Sequence, residues 1–203
     1  EIQLYEDQLS YLTNLDTMIQ VASGSYDTAV EKFDVLNYTY DVLLSSIYAQ
    51  HPEISQITLY VDRDDLFHGK QLRPLSDLAS EPWYDSLSEA IRPVWHLDKD
   101  GYICMIQRLP NPYIKFISSY SNHCLCIRMT PSHFFQVLDG LSTDYHLQIG
   151  TEEEVFFDYT DPTIEDSGNA YDDWTSQTSD RLDNGWQILL EKPSSLLAAP
   201  ADE

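Results

Sequence analysis

Basic residues are scarce in this chain of 203 residues. It contains 11 Lys and Arg against 34 Asp and Glu, which gives a formal net charge of −23 at pH 7. Such a charge repels nucleic acid phosphates and anionic lipid headgroups. The composition therefore argues against DNA, RNA and anionic membrane surfaces as partners. With 42% hydrophobic residues, the chain can still bury a core of ordinary size.

Long hydrophobic runs are also missing. No apolar stretch approaches the roughly 20 residues that a membrane-spanning helix needs, and no positively charged start leads into an apolar signal sequence. We therefore predict a folded domain that is soluble as given. The chain nevertheless begins within a helical pattern and ends in a polar tail at 194–203. We expect it to be a piece of a longer protein with flanking membrane spans.

Cysteine is rare, with three residues in the chain. Cys124 and Cys126 are two positions apart on a predicted strand, so their Cα atoms lie about 6.5 to 7 Å apart, at or beyond the limit for a mutual disulfide. Cys104, on a neighbouring strand, could pair with one of them, or all three could stay reduced. His123 points away from the face that Cys124 and Cys126 share, which disfavours a zinc site.

Motifs for catalysis and cofactor binding are absent. The seven glycines form neither G-x-G-x-x-G nor a P-loop, G-x-S-x-G does not occur, and the six histidines are scattered. The acidic loop at 62–65 lacks the glycine and final glutamate of a calcium-binding EF-hand. We predict no enzymatic activity, no cofactor and no metal.

The first 50 residues have a helical pattern. Apolar residues recur at spacings of three and four from Ile2 to Ile47, and Gly24 interrupts the pattern. We predict about 50 residues of helix, kinked once, packed against a sheet. Its first part could also form a dimer seam that continues from a transmembrane helix, but about two heptads do not decide between these interpretations.

Residues 51–140 predict a first sheet module. Strands with alternating or apolar patterns are expected at 56–62, 94–97, 102–109, 114–120 and 123–129. Short connections favour an antiparallel arrangement. Ser80 is a plausible cap for a helix at 83–91, and a further helix is expected at 131–138.

Residues 141–193 predict a smaller second sheet module. Strands are expected at 145–149 and 155–159, and Asp183-Asn184-Gly185 is typical of a tight hairpin turn between a strand ending at Leu182 and one starting at Trp186. The fold class is therefore α+β: an N-terminal helix packed on an antiparallel sheet, followed by a second, smaller antiparallel sheet.

Large aromatic residues concentrate in the first module. Pockets for small molecules are typically apolar and aromatic, with a few polar groups that orient the ligand. We predict a ligand site between the sheet and the 83–91 helix, although core packing could account for any two of its aromatic residues. The candidate ligand-binding residues are Tyr60, Trp83, Tyr84, Trp95, Arg108 and Tyr120.

Strand alternation assigns the two faces of the first strand. Ile57, Leu59 and Val61 share one face, and Tyr60 lies on the other. The apolar face should meet the N-terminal helix and Tyr60 should face the ligand.

The chain resembles the extracytoplasmic Cache sensor domains of membrane-bound bacterial histidine kinases. The resemblance rests on the helix-to-strand stretch 51–61, on Trp83-Tyr84 in a Pro-led helix and on Pro93-Val-Trp-His-Leu97, and it covers nearly the whole chain. It implies a PAS-like first sheet and a double Cache domain with a reduced second module.

Amino-acid-sensing domains of this type carry an arginine two places before the Trp-Tyr pair and an alanine three places after it. Here these positions hold Glu81 and Leu87. A carboxylate repels a ligand carboxylate and donates no hydrogen bond to it. The resemblance therefore favours a carbohydrate over an amino acid, although Arg73 or Arg108 could take over the role of the arginine.

The resemblance implies a sensor on the extracytoplasmic face of a bacterial cell membrane, belonging to a homodimeric, membrane-spanning histidine kinase of a two-component system. It would pass the occupancy of a small-molecule site across the membrane. Two alternatives stay open: a protein-binding module for a ligand-loaded extracytoplasmic binding protein, and the sensor domain of a chemoreceptor. The isolated chain is expected to be a monomer or weak dimer.

Overall fold

The computed structural model describes residues 2–66, 68–79, 81, 83–90, 92–111, 120–138, 145–160, 174–182 and 184–194. The chain forms two compact units, Glu1–His133 and Phe134–Glu203. Among the described residues, no helix is both long and apolar enough to cross a membrane.

The N-terminal region is helical, as predicted, but it is interrupted twice. The helices are α1 (Ile2–Thr13), α2 (Asp16–Ser23), α3 (Ala29–Asp34), a π-helical turn (Val35–Tyr40) and α4 (Asp41–Gln50). The prediction of a single kink was wrong because Asn14 ends α1. Its Nδ2 donates to the Ser10 carbonyl oxygen at 2.7 Å, and the next residue, Leu15, has an extended backbone.

The second interruption is at Gly24, as the sequence indicated. Its backbone is extended, and a Cβ at this position would lie 2.3 Å from the Gln20 carbonyl oxygen, so a side chain does not fit. The next helix starts with a side-chain cap. Thr28 Oγ1 accepts from the Glu31 N–H at 3.1 Å, and the Glu31 carboxylate accepts from the Asp27 N–H at 2.9 Å.

The first unit contains a five-stranded sheet in the order β2-β1-β5-β4-β3. Its strands are β1 (Ile54–Val61), β2 (Leu72–Pro74), β3 (Val94–Leu97), β4 (Ile103–Pro110) and β5 (Tyr120–Met129). All pairings are antiparallel except that of β2 with β1, which is parallel. The sequence missed β2, and the expected strand at 114–120 falls almost entirely outside the described residues.

The helix near the Trp-Tyr pair is α5 (Tyr84–Glu89), with Trp83 at its N-terminal boundary. The expected cap Ser80 lies outside the described residues. A 3₁₀ turn at Leu75–Leu78 follows β2. After β5 the chain forms a short helix, α6 (Pro131–Phe134), and a 3₁₀ turn at Gln136–Leu138, where the sequence predicted one helix over 131–138.

One face of the first sheet packs against helices α1, α2 and α4. Ile57, Leu59 and Val61 are fully buried there, which confirms the assignment of the apolar face of β1. Burial of these side chains supplies most of the driving force for this layer. The opposite face holds Gln56, Tyr60 and their neighbours, and a cavity opens on that side.

The second unit contains a four-stranded antiparallel sheet in the order β7-β6-β9-β8. Its strands are β6 (His146–Gly150), β7 (Val155–Thr160), β8 (Trp174–Thr178) and β9 (Gln187–Pro193). Trp186 is fully buried, with Phe156 stacked on it at 4.7 Å between ring centroids.

The sequence predicted a tight turn before β9, and the structure has one. The strand before this turn, however, is shorter than predicted. Gly185 has a φ of +86°, and the Leu182 N–H donates to the Trp186 carbonyl oxygen at 2.8 Å. The strand before this turn was expected to reach Leu182 but ends at Thr178. Asp183 lies outside the described residues.

Candidate functional site

A cavity of about 230 Å³ lies on the face of the first sheet that the N-terminal helices leave open. We call it the sheet cavity. Strands β1, β3, β4 and β5 form its floor, and its walls are formed by the segment 98–100 together with Leu78, Glu81 and Trp83. Its lining residues are Gln56, Thr58, Tyr60, Leu78, Glu81, Trp83, His96, Asp98, Lys99, Asp100, Cys104, Ile106, Cys126 and Arg128.

An aromatic pair forms one side of the sheet cavity. The Trp83 indole stacks on the His96 imidazole, with 4.0 Å between ring centroids and 27° between planes. His96 is only 4% exposed, and its Nδ1 has no hydrogen-bond partner among the described residues. The indole also packs against a cluster of buried residues that includes Leu87 and Ile106. Trp83 is therefore held in a fixed orientation at the cavity wall.

A charged group forms another part of the cavity lining. Arg128 Nε donates to Asp98 Oδ2, and Arg128 NH2 donates to Asp100 Oδ2 at 2.7 Å. The guanidinium also lies over the Tyr102 ring, with 3.8 Å from Cζ to the ring centroid.

Asp98 is the organising residue of this group. Its Oδ1 accepts from the backbone N–H groups of Asp100 and Tyr102 at 2.9 and 3.0 Å. Burial opposes its charged form, but the Arg128 hydrogen bond and these N–H groups outweigh that effect and lower the pKa of Asp98. The result is an ionised carboxylate held rigidly at the cavity wall.

Polar side chains of β1 line the remaining floor. Gln56 Nε2 donates to Thr58 Oγ1 at 2.7 Å, and Thr58 Oγ1 donates to the Lys70 carbonyl oxygen at 2.9 Å. Tyr60 follows on the same face, and burial raises the pKa of its phenol, which stays protonated. This floor offers hydrogen-bonding groups and an aromatic ring without net charge.

All three cysteines are reduced and buried. Cys104 and Cys126 line the sheet cavity, and Cys124 lies on the same sheet face beside Arg108. Among the described residues, no three His, Cys, Asp or Glu side chains are placed to hold a metal ion. His123 belongs to the other face, where its Nδ1 accepts from the Asp62 N–H at 3.1 Å, as strand alternation predicted.

The structure brings two of the six predicted site residues, Tyr60 and Trp83, together in the sheet cavity. Tyr84 packs against the same buried cluster without lining the cavity. Arg108 lies further along β4, with NH2 donating to the Ala90 carbonyl oxygen at 3.3 Å and Cζ 5.0 Å from the centroid of the Tyr120 ring.

Tyr120 lines a different cleft of about 430 Å³. This cleft is formed by the end of α2, the segment after β1 and the start of β5. Its described lining residues are Ala22, Ser23, Asp62, Arg63, Asn111, Tyr120, Ser121, Asn122 and His123.

Trp95 has to be removed from the predicted set. It is 7% exposed, and its Nε1 donates to the Glu6 carboxylate of α1 at 2.9 Å, on the helix-covered face of the sheet. The adjacent residue, His96, faces the sheet cavity instead. Strand alternation shows that Trp95 and His96 point to opposite faces of the sheet. On a strand of only four residues, it does not show which of them faces the ligand.

Sequence reasoning also missed Arg128 and Asp98. Strand alternation could have identified Arg128, because this residue lies two positions after Cys126 and therefore shares its face of the sheet. Asp98 lies in the loop between β3 and β4, where the sequence gives no orientation. The arginine of the sheet cavity is thus Arg128, and neither of the predicted arginines, Arg73 or Arg108, lines it.

Comparison with known proteins gives structural matches only. No protein-family model matches the chain, and no curated protein matches it at a significant level. The sensory domain of the Campylobacter jejuni chemoreceptor Tlp3 superposes with a TM-score of 0.51 at 11% identity, covering 97% of this chain and 86% of that domain. The same domain with isoleucine bound gives a TM-score of 0.50 at 11% identity, with 97% and 85% coverage.

The sensor domain of the Vibrio cholerae histidine kinase DctB gives a TM-score of 0.49 at 10% identity, covering 95% of this chain and 90% of that domain. At these identities a match establishes the fold alone. The chain has the fold of Cache-type extracellular sensor domains, as the sequence resemblance predicted.

Proposed function

We propose that this chain is an extracytoplasmic sensor domain that binds a small molecule in the sheet cavity. The observation that carries the proposal is the cavity itself, which combines an aromatic wall at Trp83, a fixed ion pair of Arg128 with Asp98, and a polar floor. An apolar or aromatic surface combined with a few oriented polar groups is the usual composition of a small-molecule site.

A carbohydrate fits this lining better than an amino acid. Sugar hydroxyls both donate and accept hydrogen bonds, and the cavity offers acceptors at Glu81, Asp98 and Asp100 and donors at Lys99 and Arg128. The Trp83 indole provides a flat apolar surface for a sugar ring. At about 230 Å³ the cavity is smaller than the roughly 300 Å³ at the lower end of pockets for drug-sized ligands, so we infer a ligand of about one sugar ring.

Two features disfavour a free amino acid. The guanidinium of Arg128 is already engaged by Asp98 and Asp100, so a ligand carboxylate would have to compete with two protein carboxylates. Glu81 lines the same cavity and would repel that carboxylate.

The parent protein is proposed to be a homodimeric, membrane-spanning histidine kinase of a two-component system. A chemoreceptor has comparable support, since the matches with TM-scores of 0.50 and 0.51 are sensory domains of a chemoreceptor. In both cases the domain transmits cavity occupancy across the membrane and catalyses no reaction itself.

Thermal-shift titration of the purified domain tests the ligand proposal. A panel of monosaccharides, amino acids and dicarboxylates is added, and a true ligand at 100 times its Kd should stabilise the domain by about 2.7 kcal/mol. We expect a shift with a monosaccharide that disappears in Trp83→Ala and persists in Tyr38→Ala, a control at an exposed aromatic residue.

A shift with amino acids alone would overturn the carbohydrate assignment. If no small molecule shifts the domain but a sugar-loaded binding protein does, the protein-binding alternative is correct.

A further inference from the structure

Two thiols lie side by side in the floor of the sheet cavity. Cys104 is on β4 and Cys126 is on β5, the adjacent antiparallel strand. Both residues line the cavity. The position of Cys104 also puts its Sγ 3.9 Å from Asp98 Oδ2. The ligand-binding proposal assigns no role to this pair.

The two thiols differ in acidity. The neighbouring Cys126 thiol lowers the pKa of Cys104 to about 6, and His96 reinforces this effect, whereas burial and the Asp98 carboxylate oppose it. Cys104 and burial raise the pKa of Cys126. Cys104 is therefore the more acidic thiol of the pair, and Cys126 is the less acidic one. A reactive thiolate with a buried partner thiol is the arrangement that supports thiol–disulfide exchange.

Cys124 provides an internal contrast. It lies on the same sheet face, but burial raises its pKa to about 12, and among the described residues it does not line the sheet cavity. Its thiol donates to the Asn122 carbonyl oxygen at 3.3 Å. It should be inert under conditions in which the other two cysteines react.

We propose that Cys104 and Cys126 form a redox-active dithiol that a low-molecular-weight disulfide entering the sheet cavity converts reversibly into an intramolecular disulfide. The Cys104 thiolate attacks one sulfur of the small disulfide, forming a mixed disulfide and releasing one small thiolate. Cys126 Sγ then attacks Cys104 Sγ and expels the second small thiolate, and the Cys126 proton goes to a released thiolate. Two protein thiols are oxidised, and the small disulfide is reduced to two thiols.

The strand register makes this bond readily reversible. Cys104 is opposite Arg128 and Cys126 is opposite Ile106, so the two cysteines are diagonal neighbours. Diagonal Cα atoms lie about 7 to 8 Å apart in a regular sheet, slightly beyond the roughly 6.8 Å limit for a disulfide. Bridging therefore requires β4 and β5 to shift, which strains the bond and favours its reduction. The shift would also change the floor of the sheet cavity, so the dithiol adds a redox input to the proposed ligand input.

The test uses the reduced, folded domain and cystamine, a small cationic disulfide suited to an acidic protein. Free thiols are counted over time, and disulfides are located by peptide mass mapping before and after reduction. We expect the native domain to lose two thiols and two hydrogen atoms of mass, with a Cys104–Cys126 cross-link that dithiothreitol reverses.

Single Cys→Ser substitutions show which cysteine acts in each step of the exchange reaction. Cys126→Ser should stop at a mixed disulfide on Cys104, Cys104→Ser should not react in the native state, and Cys124→Ser should behave as wild type. Circular dichroism confirms folding of each variant, and mapping of the wild-type protein decides the question even if one variant misfolds.

The proposal is overturned if the native thiols do not react while the unfolded chain does, or if Cys124 enters the cross-link. It is also overturned if the wild-type reaction ends at a mixed disulfide. Sugar titration of the reduced protein is a separate measurement, so failure of either proposal leaves the other to be judged on its own.

Discussion

Trp83 and Leu59 lie on opposite sides of the first sheet and should have different roles. Leu59 is fully buried beneath the N-terminal helices, whereas Trp83 lines the sheet cavity and stacks on His96. Substitution of each residue therefore separates the contribution of the core from that of the site.

We expect Trp83→Ala to abolish the ligand-induced thermal shift while the domain stays folded. Loss of an aromatic contact of about 1.5 kcal/mol, together with the lost apolar area, should weaken binding more than about tenfold. Trp83→Phe should retain part of the affinity. If Trp83→Ala unfolds the domain and the surviving fraction binds normally, Trp83 is a core residue and the proposed site is wrong.

Leu59→Ala should instead lower the free energy of unfolding by about 2 to 5 kcal/mol, the usual range for truncation of a buried leucine. Chemical denaturation measures this change, and ligand affinity of the folded fraction should be unaltered. Leu4→Ala is the matched control, because Leu4 is 63% exposed. Equal stability of the two variants would contradict the burial assigned to β1.

At the residue scale, the sequence predicted the faces of β1 correctly because eight residues give a clear alternation. It assigned Trp95 to the site because a large aromatic residue fits a pocket as well as a core. What decides between Trp95 and His96 is the Glu6 carboxylate of α1, which accepts from the indole. That contact spans 89 positions of the sequence, and local patterns carry no information about it.

At the element scale, His146 links three strands of the second sheet. Its Nδ1 lies 2.9 Å from Glu191 of β9 and its Nε2 lies 2.8 Å from Asp158 of β7. Burial opposes the charged imidazolium, but the hydrogen bonds to these two carboxylates outweigh it and raise the pKa of His146. The pKa of Asp158 is lowered in turn, against burial, by hydrogen bonds from Gln148 and His146.

This link should make stability depend on pH. Because the folded pKa of His146 lies above its unfolded value of about 6.5, its contribution is complete below that value and is lost as the pH rises through the folded pKa. We expect the Tm of the wild type to fall over this interval relative to that of His146→Gln. The exposed His133→Gln serves as control and should follow the wild type. Parallel Tm profiles for wild type and His146→Gln would contradict the link.

Long, periodic elements were predictable, and short ones were not. The helices of residues 2–50 and strands β1, β4 and β5 follow from apolar periodicity. Strand β2 has three residues and pairs in parallel with β1 through long-range hydrogen bonds, so no local pattern marks it. The break at Asn14 depends on one side chain that competes with the helix for a carbonyl oxygen.

At the scale of the whole molecule, charge opposes self-association. The net charge of −23 acts between any two copies, and at physiological ionic strength it is screened only beyond about 8 Å. Helix α1 nevertheless presents an apolar strip, because Leu4 and Tyr11 are 63% and 65% exposed and lie one heptad apart on the same face. A seam of this length is too short to overcome the repulsion without the membrane, which would raise the effective concentration of the partner.

We therefore expect the isolated chain to sediment as a monomer or weak dimer at micromolar concentration and physiological salt. Screening the repulsion with about 1 M salt, where the Debye length falls to about 3 Å, should strengthen association. Leu4→Glu should remove that salt-induced increase if α1 forms the seam, whereas Val137→Glu, at an exposed site in the second unit, should leave it unchanged. A tight dimer at physiological salt that survives Leu4→Glu would contradict both the monomer prediction and the seam, and would place the dimer interface elsewhere on the molecule.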